Sequence, residues 1–163
     1  MKAVRTLALV GAGLGAAALA TGFPKRIGLT ASEAAVSLPG DLLLPTASVV
    51  VDRGIRIDAP AHAVWSVLEA AFEDEDESRL VAAEADECLI LRVPAPGLDD
   101  EEPTGTCVLA LLPLPNGRTL LHLRERHVSR EDAPDAVLYA ILAAESFSTM
   151  RMLLDIRAAV SRA

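Results

Sequence analysis

His62, His122 and His127 are the only imidazoles in this chain. With Glu125 they are the first candidates for proton transfer or metal binding. His62 falls in the first turn of an expected helix and reads as a solvated side chain. His122 and His127 are five residues apart on one expected strand, so they project from opposite faces and cannot serve one metal or one substrate. His122 shares its face with Leu120 and Arg124; it is the better candidate for an interior polar role, and its ordinary reading is a hydrogen-bonded or partly exposed imidazole. Ser66, Ser146 and Ser148 lack the flanking glycines of a nucleophile elbow. The acidic runs Glu73–Glu77 and Asp99–Glu102 lack the alternating oxygen ligands and central glycine of a calcium loop. They read as solvated faces. No metal site and no cofactor follow from these residues.

The two cysteines, Cys88 and Cys107, have no Cys-x-x-Cys spacing and make no zinc site. Their pairing is testable from register. If 86–93 and 105–113 close as a hairpin over a loop centred near residue 99, Cys88 faces Ala110 and Cys107 faces Leu91. An offset of three positions is roughly 10 Å at about 3.3 Å per residue, too far for a disulfide. Two buried thiols are expected.

The elements that must position these side chains follow from periodicity. Between Ser48 and Asp58, Val49, Val51, Ile55 and Ile57 share one parity, which predicts a strand with one buried face and a bulge at Gly54. Asp58-Ala59-Pro60 reads as an N-cap followed by proline in the first helical turn. The helix runs to about Phe72, with Val64, Trp65, Leu68 and Phe72 on one side; Trp65 reads as core before substrate platform. Leu80–Ala85 and Glu87–Val93 are strands broken near Ala85-Asp86, and Pro94–Pro103 is a loop. Thr106–Leu112 and Thr119–Arg126 pair across Pro115-Asn116-Gly117, where Asn-Gly supplies the positive φ of a tight turn. A last helix is capped by Asp132. Its apolar spacing stumbles at Glu145–Ser148, which predicts a kink or two helices. The order β-α-β-β-β-α makes an α+β domain, an antiparallel sheet gripping a long C-terminal helix.

At 163 residues this is one domain with extras. Hydrophobic content is 52% and aromatic content 3%, so the core is aliphatic. The net charge is −8, and two of the cations, Lys2 and Arg5, precede the apolar run, which leaves the remainder more negative still. Without a basic stripe, nucleic acid is excluded as a partner. The uncharged run Thr6–Phe23, flanked by Lys2, Arg5, Lys25 and Arg26, is about 27 Å long as a helix and matches a membrane core of about 30 Å. A retained single span is expected. The alternative is a signal cleaved after Ala20 at Ala18-Leu19-Ala20. Gly11-Ala12-Gly13-Leu14-Gly15-Ala16 also fits a dinucleotide phosphate loop, but 24–46, with prolines at both ends and a Pro-Gly break, supplies no second strand ending in an acid. The domains are thus 1–24 anchor or signal, 25–46 linker and 47–163 the folded domain.

Several short pieces resemble one superfamily in order along the chain. They are Arg26–Glu33 with Leu38–Asp41, Ile55–Pro60 with Val64-Trp65, Leu114–Thr119, and Phe147 with Met150–Leu153. Together they resemble the START-like superfamily of polyketide cyclases and lipid carriers, the helix-grip fold, and most of all an actinobacterial-type subgroup with an N-terminal hydrophobic segment. The resemblance implies an apolar cavity between sheet and long helix for a lipid-like or polycyclic molecule. About a dozen mostly acidic residues separate Leu68 from Leu80, where the family has further strands, so a reduced grip is expected. The stripe Phe147, Met150, Leu153 and Leu154 should face Leu109, Leu111, Leu121 and Leu123. With Trp65 and His122, the residues Leu109, Leu111, Phe147, Met150 and Leu154 are the expected ligand contacts. Three jobs fit: a non-enzymatic carrier or scaffold at the membrane; a cyclase or dehydratase using His122 or Glu125 as general base; and an interaction module using the shortened sheet's edge.

Overall fold

The computed structural model describes residues 22–73, 79–94, 96, 104–131 and 134–163. The apolar run from Thr6 to Thr21 with its glycine-rich stretch, acids 74–77, the loop acids 99–102 and Asp132 lie outside the described residues.

Alternating valine, isoleucine and leucine build the sheet. In chain order the elements are β1 (Arg26–Ile27), α1 (Ala31–Ala34), a 3-10 turn (Asp41–Leu43), β2 (Val49–Ile57), α2 (Ala61–Ala71), β3 (Leu80–Glu84), β4 (Cys88–Val93), β5 (Gly105–Leu114), β6 (Arg118–His127) and α3 (Asp135–Val160). The six strands lie in the order β1-β2-β6-β5-β4-β3. Every neighbouring pair is antiparallel except the two-residue pairing of β1 with β2. The break near Ala85-Asp86 is a complete hairpin turn: Asp86 takes φ 65° and β3 folds back on β4. At the other hairpin Asn116 and Gly117 both have positive φ, 65° and 69°, as a tight turn between twisted strands requires. Cys88 pairs with Ala110 and Leu91 with Cys107, the register derived above. Both cysteines are buried and neither forms a disulfide. Cys88 packs with Leu38, Ile90, Val108 and Ala110, and Cys107 with Leu109 and Leu111 on the opposite side of the sheet.

Several expectations are corrected. Helices α2 and α3 start behind Pro60 and Pro134, with no side-chain cap. Proline lacks an N–H to satisfy, and its carbonyl opens the helix: Pro60 O accepts from Ala63 and Val64, and Pro134 O from Val137 and Leu138. Asp58 therefore caps nothing. Gly54 is not a bulge, because β2 keeps one register with β6 from Val49 to Ile57. The residue is glycine for space: a Cβ there would sit 2.4 Å from Leu29 Cδ2. Helix α3 is continuous over 26 residues. Its apolar spacing fails at Ser146 because that position is buried and polar; its Oγ donates to Leu142 O at 2.6 Å.

Both faces of the sheet are covered. On one, α2 and α3 pack over Ile55, Leu89, Leu91, Leu109, Leu111, Leu121 and Leu123, with Leu153, Ile156 and Val160 from α3. The N-terminal half of α3 adds Leu138 and Leu142 over Val49 and Val51. On the other face lie residues 22–44, read from the sequence largely as linker. Three arginines fasten them to the strands. Arg56 pairs with Glu33 at 2.6 Å, Arg124 donates to Ala34 O and Val36 O, and Arg126 donates to Leu44 O.

Candidate functional site

Of the expected ligand contacts, the structure brings together Trp65, Leu109 and Leu111, which share the core beneath the helices with partly buried Met150. It does not bring the others there. Phe147 is 85% exposed and Leu154 38% exposed. The buried stripe of α3 is instead Leu138, Leu142, Ser146, Leu153, Ile156 and Val160, rotated from the one read in sequence. His122 is fully buried on the opposite face of the sheet. There its Nε2 lies 2.8 Å from Asp52 Oδ1, which also accepts from Arg124 Nε at 2.7 Å. Arg124 continues to Asp41 Oδ2 at 2.8 Å. This chain of charges anchors residues 34–41 to the strands, and His122 Nδ1 is buried without a partner. The pair has the composition of a base and its orienting acid. It lies under the covering segment, away from the apolar core.

A second polar cluster lies beneath α3, and sequence reasoning missed it. Arg53 is 1% exposed. It makes a salt bridge to Glu125, its Nε and Nη2 donate to Ser146 Oγ at 3.1 and 2.9 Å, and Nη2 also donates to Leu142 O at 2.7 Å. His127 is 2% exposed beside it, with both ring nitrogens unpartnered. It packs on Gly105, where a Cβ would lie 2.5 Å from Nδ1. Burial, helped by the Arg53 charge, lowers the His127 pKa to about 4. Burial and the neighbouring Glu125 charge raise that of Glu145, against the pull of Arg53. A signal existed: Arg53 and Glu125 occupy the same parity as the buried residues of β2 and β6, and Ser146 is where the α3 pattern fails.

Space for a ligand lies elsewhere. A cavity of about 260 Å³ opens between α2 and the β3–β4 hairpin, lined by Trp65, Leu68, Glu69, Phe72, Glu73, Leu80, Ala83, Leu89 and Leu91. The α2 residues recur at helical spacing, so one face of that helix forms a wall; β3 and β4 supply the other. Trp65, Leu68, Leu89 and Leu91 form the buried floor, and Glu69 and Glu73 are exposed at the rim. A wider, shallower depression of about 700 Å³ follows Phe23–Thr30 and Arg56. Among the described residues no group of three or more His, Cys, Asp and Glu side chains is placed to hold a metal.

The long helix held in an antiparallel sheet, with a shorter helix between the first two long strands, settles the architecture. The fold is a helix grip. No family model and no curated protein matches the chain. Similar solved structures include an aromatase/cyclase from a Streptomyces species, at 17% identity over 69% of this chain and 93% of that one, TM-score 0.42. A polyketide-cyclase-like protein from Corynebacterium glutamicum is 15% identical over 66% and 88%, TM-score 0.43. A START superfamily protein from Mycobacterium smegmatis is 14% identical over 69% and 97%, TM-score 0.38. At such values the likeness is one of fold and carries nothing about ligand or activity. In this grip the cavity of about 260 Å³ sits beside α2, at the β3–β4 end of the sheet.

Proposed function

We propose that this chain is a non-enzymatic binding domain that holds a small apolar molecule in the cavity between α2 and the β3–β4 hairpin. The observation that carries the reading is the lining itself: six of its nine described residues are Trp, Leu or Phe, and none of the nine is a serine, cysteine or histidine. The buried polar groups on which a cyclase or dehydratase would depend are engaged elsewhere, His122 with Asp52 on the far face and Glu125 with Arg53 under α3. Volume narrows the ligand. Cavities of about 150 Å³ accept benzene, and sites for drug-sized molecules run from about 300 Å³ upward. A cavity of about 260 Å³ suits a one- or two-ring body or a short alkyl chain, smaller than a polycyclic polyketide or a whole lipid.

The same proposal places the chain at a membrane. What supports it is the uncharged run Thr6–Phe23, with basic residues at both ends. Lys25 Nζ stands 5.3 Å from the Tyr139 ring on α3, and the same helix exposes Val137 and Phe147. Helix α3 itself is long and apolar enough to span a bilayer by length and composition, but its buried residues belong to the domain core.

Trp65 is the chain's single tryptophan, so its emission reports on the cavity directly. The test is a fluorescence titration and thermal melt with one- and two-ring aromatics and short alkyl chains. A true ligand shifts Trp65 emission, and at about 100 times its Kd adds roughly 2.7 kcal/mol to stability. Ala83→Phe, which fills the cavity from β3, should abolish both effects while the protein stays folded. If no compound perturbs Trp65 or the melt, the binding reading fails.

A further inference from the structure

We propose that the outward face of the first half of α3 lies in the surface of a lipid bilayer, so that the domain rests on the membrane along this helix. The inference rests on the membrane placement proposed above and adds the surface that meets the lipid. Two observations carry it. The first is that this half of α3 is apolar on both sides. Ala136, Val137, Ala140, Ala144 and Phe147 recur at helical spacing on the side away from the sheet, and all five are exposed. Between Asp135 and Arg151 the one charged residue is Glu145, which lies close enough to the sheet to feel the charge of Glu125. Of the most apolar 18-residue stretch of the helix, only 22% is buried within the domain. A helix at a watery surface carries polar residues opposite its core stripe, and one that is apolar all round has a second apolar neighbour. The polar pattern returns in the second half, where Arg151 and Asp155 pair at 3.1 Å on the exposed side.

The second observation identifies that neighbour. Lys25 Nζ lies 5.3 Å from the centre of the Tyr139 ring, which holds the start of the domain against the first turns of this same helix. Lys25 closely follows the uncharged run Thr6–Phe23, and Phe23 is itself exposed. The boundary of a membrane entered by that run therefore falls beside the exposed apolar face of α3. Tyrosine and lysine suit such a boundary, each with an apolar body and a polar end that reaches water. The helix contributes no cation before Arg151, and the chain has a net charge of −8, so the contact is with hydrocarbon and not with headgroup charge. A helix of this kind lies in the plane of the interface, its apolar face sunk about 5–10 Å into the boundary of headgroups and acyl chains.

The test uses the full-length chain reconstituted with phosphatidylcholine vesicles, with a nitroxide label carried in turn by Ala140→Cys, Phe147→Cys and Arg157→Cys. All three positions are exposed. The unsubstituted chain, whose two cysteines are buried, is the labelling blank. Relaxation of the label by oxygen, which concentrates in hydrocarbon, is compared with relaxation by a nickel chelate, which stays in water. The ratio of oxygen to nickel collisions should be several-fold higher for Ala140→Cys and Phe147→Cys than for Arg157→Cys. A chain that does not float with the vesicles overturns the membrane placement and this inference together. A chain that floats while the labels of Ala140→Cys and Phe147→Cys meet the nickel chelate as freely as that of Arg157→Cys overturns the docking face alone. Labels shielded from both reagents also overturn it, because protein, a second copy or the chain's own apolar run, then covers the face.

Discussion

His127 ends the last strand, and the fold suppresses its titration. Its folded pKa of about 4 lies below the ordinary value near 6.5, so between these limits the unfolded chain binds the proton and the native chain does not. Stability is therefore fully present above about pH 6.5 and is lost as pH falls toward 4. The contribution is roughly 3 kcal/mol, an order-of-magnitude conversion of the depressed pKa. Glu145 acts in the opposite direction, because its raised pKa weakens the native state as pH rises through the carboxylate range. Comparing wild type with His127→Leu by urea unfolding isolates the histidine: the difference in pH slope between 4 and 6.5 should belong to His127. Identical slopes would mean that the imidazole is protonated inside the fold, against its two unpartnered nitrogens.

At the scale of elements, α3 has one face in the core and one in solvent, and two substitutions tell them apart. Leu153 is fully buried and Phe147 is 85% exposed. Leu153→Ala should cost about 2–5 kcal/mol, and Phe147→Ala should stay within about 0.5 kcal/mol, both read from chemical denaturation. A large loss from Phe147→Ala would place that ring in a contact. The sequence pointed to Phe147 and Leu154 because methionine, phenylalanine and leucine cluster there; the true stripe runs through Ser146, whose polarity breaks the pattern. The β4–β5 register was legible to the residue, since closing the two strands over a loop centred near residue 99 puts Cys88 opposite Ala110. The cover formed by residues 22–44 was not legible. It is held by arginine side chains reaching backbone carbonyls at Ala34, Val36 and Leu44, and a carbonyl is present at every residue whatever its type. The cavity was half legible: Trp65 was named among the ligand contacts, but its partners Leu80, Ala83 and Leu89 depended on how the β3–β4 hairpin folds.

For the whole molecule, the consequence to test is attachment. The full chain expressed in cells should remain in the membrane fraction after carbonate extraction, with an intact N-terminus by mass. A soluble product beginning at Thr21 would make the segment a cleaved signal.

The placement of the two thiols on opposite faces of one sheet has a use of its own. Cys88 is sealed by the N-terminal cover around Leu38, and Cys107 by the helices. Each therefore reports on the lifting of a different layer, and thiol-exchange rates measured below the global unfolding transition would give two separate opening free energies from one protein. Equal rates at both cysteines would mean that the layers leave together, as one cooperative unit. Faster modification of Cys88 would mean that the arginine-fastened cover detaches while the grip on α3 persists. The solvent-exposed chemistry must be normalised first, because burial and the nearby Glu84 and Glu87 raise the Cys88 pKa and slow its intrinsic reaction. With that correction, two atoms about three residues apart in register resolve the order in which a six-stranded sheet is undressed.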